Sequence, residues 1–314
     1  MRIAAAVLIL LTSSALADEV TLQTPTGTLY GTLLTPSSAT PVPVVLIIAG
    51  SGPTDRDGNS ILLPGPNNSL RMLAEGLVAR GIASLRYDKR AVAASIGAAP
   101  AESIDSNIAD AAQWLQQLRT DARFSSVAVA GHSEGSLIGI VAAQRVAVDR
   151  VISIDGAGRR FGEVILFQLE GRVSPELMAA ARQIVASLNA GVTVANVPVV
   201  LWSVFRPSVQ PYLISWMRYD PAVEISHLQV PTLVLHGTTD TQIPVSDAFL
   251  LAAGNRSATL RLIVGMNHVM KDVPLDDDDA QDRSYSDPTL PIDAALVAAI
   301  GDFINPAIRR RAVR

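Results

Sequence analysis

The sequence predicts an α/β protein: a mostly parallel central sheet flanked by helices, with a helical cap inserted late in the chain. Three observations carry this. Short, continuously apolar runs recur along the chain, helical stretches lie between most of them, and one long segment interrupts the alternation. Runs of this kind fit strands covered on both faces, and strand–helix alternation fits parallel pairing.

The elements follow in order. EVTLQTPTGTLYGTLLTP alternates apolar and polar residues around Pro25, Thr26 and Gly27, which predicts a β-hairpin. Buried strands are expected at 43–50 (PVVLIIAG), 82–88 (IASLRYD), 127–131 (VAVAG), 151–156 (VISIDG), 232–237 (TLVLHG) and 260–265 (LRLIVG). Helices are expected at 70–80, 103–119, 136–146, 247–253 and 292–304. Between Gly156 and Pro231 no strand of the core type appears. A structureless loop of that length inside a compact domain is improbable on physical grounds, so 157–228 reads as a helical cap, and 18–156 with 229–314 as the core. Trp202, Phe205, Tyr212 and Trp216 lie in the cap's aromatic stretch and are candidate pocket residues; the competing reading is that they hold the cap to the main domain.

The N-terminus has the order of an export signal: Arg2, an apolar run from Ile3 to Leu11, then Ala15-Leu16-Ala17. That run is too short to span a bilayer. Residues 1–17 are therefore expected to be removed and the protein to be periplasmic or secreted, with no stable membrane anchor afterwards. The 314 residues are 49% hydrophobic and 17% charged, enough apolar material for a large core. A net charge of −4 gives no support to a nucleic-acid or membrane-surface role. With no cysteine, disulfides, thiolate metal sites and a cysteine nucleophile are excluded. Asp276 to Asp279 form a charge run without the spaced ligands and turn glycine of a calcium loop, so a solvated loop tip is expected there. No metal or cofactor is expected.

The chemistry concentrates in SVAVAGHSEGS, residues 126–136. A glycine two places either side of Ser133, between a buried strand and a helix, describes a tight turn that presents one hydroxyl at the carboxyl edge of the sheet. A serine needs a base, a group to orient that base, and donors for the oxyanion that forms. His268 follows the last strand and so reaches the same edge; His132, His227 and His236 are less well placed. Asp240, after the preceding strand, is the candidate acid, with Asp247 as competitor inside a helix's first turn. Oxyanion donors are expected from the backbone N–H of Glu134 and from Ser51 or Gly52 in the loop GSGPTDRDGN. Asp55, Arg56 and Asp57 read as a salt-bridged brace for that loop.

GHSEG, HGTTD and GMNH, in the order serine, acid, histidine, give the chain a resemblance to the α/β-hydrolase superfamily over nearly all of residues 20–305. IAGSGPTDRDGN and LRYDKR are similar to the exported bacterial esterase, or dienelactone-hydrolase-like, branch. The resemblance implies Ser133 as nucleophile, Asp240 as acid, His268 as base, and esterase activity on small-molecule esters with short acyl chains. Relatives usually carry a glycine soon after the arginine of LRYDKR, where this chain has Ala91, Val92, Ala93 and Ala94. Two other readings remain open on the same residues: a serine peptidase or thioesterase, and a non-catalytic binding protein that keeps the fold.

Overall fold

The computed structural model describes residues 15–306. The expected leader lies outside the described residues as far as position 14; Leu16 and Ala17 form the first rungs of β1 (Leu16–Thr24), opposite Thr35 and Leu34 of β2 (Gly27–Thr35). This is the hairpin expected at Pro25-Thr26-Gly27, with Gly27 at φ 137°, backbone that only glycine adopts readily.

The remaining strands are β3 (Val42–Ile48), β4 (Ala83–Tyr87), β5 (Phe124–His132), β6 (Arg150–Ile154), β7 (Thr232–Gly237) and β8 (Thr259–Ile263). They form one eight-stranded sheet in the order β1-β2-β4-β3-β5-β6-β7-β8, in which only β1–β2 and β2–β4 pair antiparallel. Each predicted strand is present with its centre where the apolar run put it.

Both faces of the sheet are buried, and strand pleating decides which residue goes where. In β3, Val44, Leu46 and Ile48 join one core while Val45 and Ile47 join the other. In β5, Val127 and Val129 oppose Ala128 and Ala130 in the same way. The first face is covered by α2 (Ile104–Thr120) and α3 (Glu134–Arg145), the second by α1 (Ser69–Val78) and α11 (Ala294–Ile304). In α1, Leu70, Leu73, Ala74 and Leu77 occupy one helical stripe and are fully buried, each leucine contributing about 2 kcal/mol.

The insertion between β6 and β7 is helical: α4 (Phe161–Leu169), α5 (Pro175–Asn189), α6 (Trp202–Phe205), α7 (Gln210–Met217) and α8 (Pro221–Ser226). The first four share a small core of their own, built on Ile165, Ile184, Leu188, Phe205, Leu213 and Met217. α8 does not belong to it. Ile225 and the following Leu228 pack into the main core, so the separate cap hydrophobic unit closes near Met217 rather than at 228. After β7 come α9 (Val245–Gly254) and α10 (Asp278–Ser284). The second begins within the acidic run: Asp276 to Asp279 are exposed as expected, but Asp277 caps a helix by accepting from Ala280 N–H at 2.9 Å. No helix among the described residues is long and apolar enough to cross a membrane.

Candidate active site

β5 runs straight into α3 through Ser133, which sits at φ 55°, ψ −120°, a strained conformation for a residue with a side chain. Ser133 N–H donates to Ile154 O at 2.9 Å, tying the turn to β6. The flanking glycines are steric necessities. A Cβ on Gly131 would lie 1.9 Å from Gly135 O, and one on Gly135 would lie 2.4 Å from Ile48 O. Gly50, two residues past β3, is tight but less constrained: a Cβ there would meet the Ser133 Cβ and His132 Nδ1 at 3.2 Å. Ser133 is thus held partly exposed against the loop that follows β3.

His268 lies in the loop after β8, and its Nδ1–H donates to Asp240 Oδ2 at 2.7 Å. Nε2 is left as the free lone pair on the cavity side, because the other nitrogen carries the proton of that bond. Asp240 is held in turn by Gln242 N–H at 2.8 Å and Ile243 N–H at 2.9 Å, both to Oδ1. Burial would raise the Asp240 carboxyl, but the charge and hydrogen bond of His268, His236 and the Ile243 N–H together hold it below the usual carboxylate value. Ser133 and His268 line the same cleft of about 250 Å³, with Tyr285 and Gln242. No hydrogen bond joins Ser133 Oγ to His268 Nε2; such bonds in ligand-free sites are often long and tighten when substrate binds.

Two elements that the sequence did not single out support the pair. Asn267 is buried and fixes the loop of His268 by accepting from Val269 and Lys271 N–H while donating to Gln281 and Ser284 of α10. Gln281 also donates to Thr239 O, next to Asp240, at 3.2 Å. α10 therefore clamps the acid loop and the histidine loop together. His132 supports from beneath, its Nε2–H donating to His268 O at 2.7 Å with the two rings 4.8 Å apart.

The other candidates take structural positions. Asp247 is fully buried and accepts from Gly158 N–H, Arg159 N–H and the Arg159 guanidinium, the closest at 2.7 Å, which fixes the chain where it enters the cap. His236 donates from Nε2 to Ile243 O at 2.9 Å, and His227 is surface-exposed beside Glu224. Asp155, His236 and Asp240 bring ligand-type atoms close together. Burial and the charge of Asp240 raise the Asp155 carboxyl well above its usual value, though, and the Asp240 oxygens are taken by three N–H donors. Asp155 Oδ1 accepts from Gly237 N–H at 2.8 Å, while Asp155 Oδ2 and His236 Nδ1 are buried without a hydrogen-bond partner among the described residues. Asp55, Arg56 and Asp57 brace the loop after β3 as expected: Arg56 donates to Asp88 from both N–H and Nε, Asp57 pairs with Arg86 at 3.0 Å, and Asp55 accepts from the N–H groups of Asp57 and Asn59.

The N–H groups of Ser51, Gly52 and Glu134 reach no acceptor outside regular structure among the described residues, and that of Glu134, opening α3, has none within its helix. Ser51, Ser133 and Glu134 line a second, narrower cavity of about 70 Å³ under the cap, with Leu137, Phe161 and Trp216 among its walls. Of the four cap aromatics, Trp216 reaches this cavity, stacked on Phe161 at 4.0 Å. The other three do not line it. Phe205 is fully buried inside the cap, Trp202 is 48% exposed on its outside with Nε1–H donating to Val197 O, and Tyr212 turns its hydroxyl to the Glu134 carboxylate. Gln242 and Arg159, which the sequence reading missed, do contribute to the wall.

A strained serine turn after the central β5, a buried His–Asp pair on the loops after β8 and β7, and a cap between β6 and β7 make this an α/β-hydrolase-fold protein. No family model matches the chain. It is 27% identical over 255 residues to esterase EstD of Thermotoga maritima, covering 77% of this chain and 58% of that protein, less than two thirds of the relative's length. Among solved structures it is similar to Est1E from Butyrivibrio proteoclasticus, with a TM-score of 0.56 at 14% identity over 94% of this chain and 99% of that one. Dienelactone hydrolase from Anabaena variabilis superposes with a TM-score of 0.53 at 16% identity, over 92% and 96% of the two chains. At these identities the structural likeness establishes the fold.

Proposed function

We propose that this protein is a serine hydrolase of carboxylic esters, with Ser133 as nucleophile, His268 as general base and acid, and Asp240 as the group that orients His268 and stabilises its imidazolium. The observation that carries this reading is the 2.7 Å bond from His268 Nδ1 to Asp240 Oδ2, made at the rim of the cleft that Ser133 lines. With Nδ1 bound to the acid, Nε2 takes the Ser133 proton as Oγ attacks the ester carbonyl. The oxyanion that forms rests on the N–H of Glu134 and on that of Ser51 or Gly52. His268 then protonates the departing alcohol, and a water molecule activated by the same nitrogen releases the acyl group.

The leaving oxygen has to reach His268, which assigns the alcohol to the wider cleft and the acyl group to the narrow cavity under the cap. A volume near 70 Å³ suits an acyl chain of a few carbons. The name of the Thermotoga maritima relative, an esterase, supports ester over amide or thioester chemistry. The order of Arg2, an apolar run and Ala15-Leu16-Ala17 at the N-terminus supports an export signal and action outside the cytoplasm.

The test is hydrolysis of p-nitrophenyl acetate by the wild type and by Ser133→Ala. The variant should lose activity by a factor on the order of 10³ or more while keeping its circular dichroism and unfolding midpoint. Activity within a few-fold of wild type would refute the assignment.

A further inference from the structure

Lys89 ends the LRYDK segment after β4 and is only 5% exposed, an unusual place for an ammonium group. Its Nζ donates to Gly50 O at 2.5 Å and stands 3.8 Å from Glu134 Oε2. Glu134 Oε1 accepts from the hydroxyl of Tyr212 in the cap, and that hydroxyl accepts from Asn107 Nδ2 at 2.9 Å. Burial and the Glu134 charge raise the Tyr212 phenol, so it remains a donor. Nothing in the ester-cleavage scheme uses the Lys89 ammonium, and simple packing does not call for a cation at this position.

The carbonyl that Lys89 grips belongs to the Gly50–Ser51 peptide. That peptide is trans, since the described residues contain no cis bond, so its C=O and N–H point in opposite directions. Fixing Gly50 O on the Lys89 side therefore turns the Ser51 N–H the other way. Gly50 also lies close to Ser133: a Cβ there would stand 3.2 Å from the Ser133 Cβ, a tight contact. Gly50 and Gly52 make the backbone on either side of this peptide permissive, and the nearby Thr54 hydroxyl holds the carbonyl of Ser51, not that of Gly50.

We infer that Lys89 is a positioning residue of the oxyanion hole: it locks the Gly50–Ser51 peptide so that Ser51 N–H stands ready as the second donor beside Glu134 N–H. The Glu134 carboxylate holds the lysine in place, and Tyr212 ties this arrangement to the cap. One residue, Glu134, thus supplies a donor through its backbone and orients the other donor through its side chain. The inference rests on the serine-hydrolase reading above and adds the choice of Ser51 over Gly52.

The experiment compares wild type with Lys89→Met and with the double variant Lys89→Met/Glu134→Gln. The double variant avoids stranding a buried carboxylate if the single change does not fold. With p-nitrophenyl acetate, kcat should fall on the order of 10²-fold with KM within about threefold, as for loss of one oxyanion donor. Affinity for a trifluoromethyl ketone, which forms a tetrahedral adduct with the serine, should fall by the same factor as kcat/KM, whereas competitive inhibition by acetate should not change. A folded variant with kcat within threefold of wild type would overturn the inference, as would equal losses of affinity for the ketone and for acetate. If wild type shows no Ser133-dependent hydrolysis at all, it is the hydrolase reading that fails instead.

Discussion

Gly131 and Gly135 face each other across the Ser133 turn with no room for a methyl group between them: a Cβ on Gly131 would stand 1.9 Å from the carbonyl oxygen of Gly135. Contacts to backbone cannot be relieved by a rotamer change, so the strand end or the first turn of α3 would have to move. Gly131→Ala should lower stability by more than about 3 kcal/mol or prevent folding, well beyond an ordinary surface change. Urea unfolding checks this, with Gly97→Ala, where a Cβ meets nothing, as the control.

The bond between His268 and Asp240 leads to a kinetic prediction. An asparagine at 240 can present its amide nitrogen to Nδ1, which favours the wrong tautomer and removes the lone pair from Nε2. Asp240→Asn should therefore reduce kcat for p-nitrophenyl acetate by a factor on the order of 10³–10⁴, with little change in unfolding midpoint at neutral pH. Asp247→Asn, on the carboxylate that holds Arg159, should instead act mainly on stability.

How far the sequence could be read depended on whether the cause of each feature was local. The centres of β3, β5 and β7 (Val44 to Ile48, Val127 to Ala130, Leu233 to Leu235) are continuously apolar because both faces of the sheet are covered there. Gly131, Ser133 and Gly135 announce a turn whose strain is built into eleven consecutive letters. α10 was not legible: Gln281 and Ser284 are polar residues buried only because Asn267 and Thr239 reach them from distant loops. Lys89 was hidden for the same reason. Among the cap aromatics the letters marked apolar bulk but not direction, and α6 and α7, with four and eight residues, give too little periodicity to choose a face.

The loop after β4 carries removable strain. Ala91 and Ala93 adopt φ values of 60° and 42°, where a Cβ is unfavourable and glycine is not. A glycine at either position would sit there without strain. Ala91→Gly is expected to stabilise the protein by roughly 0.5 kcal/mol, the relief of strain exceeding the added unfolded-state entropy. A higher urea midpoint at unchanged m-value would bear this out; a lower midpoint would mean that the loop is content with alanine.

His132 gives the protein an acid liability. Burial, reinforced by the charge of His268, pushes its pKa down to about 3, so the ring stays neutral in the folded chain while the unfolded chain titrates near 6.5. Between those values the unfolded state holds the extra proton. Stability from this group is therefore complete above pH 6.5 and is lost as pH falls, by at most about 1.4 kcal/mol per pH unit. His132→Gln removes the group: its deficit against wild type, measured by denaturant unfolding at pH 7, should shrink steadily towards pH 4. A constant deficit would show that the ring charges in the folded state.

Trp216 and Phe205 separate two roles that aromatic residues can play in a cap. Trp216, stacked on Phe161, forms a wall of the narrow cavity beside Ser133, whereas Phe205 fills the cap's own core. Trp216→Ala should enlarge the acyl site and raise kcat/KM for p-nitrophenyl hexanoate relative to acetate by 10-fold or more, since each methylene accommodated is worth about 1 kcal/mol or more. Phe205→Ala should cost about 3 kcal/mol of stability and leave that ratio near its wild-type value, because Phe205 lies in the cap core and does not line the cavity beside Ser133. A ratio that moves equally in both variants would mean that the cap responds as one soft body and that acyl length is not set by the Trp216 wall.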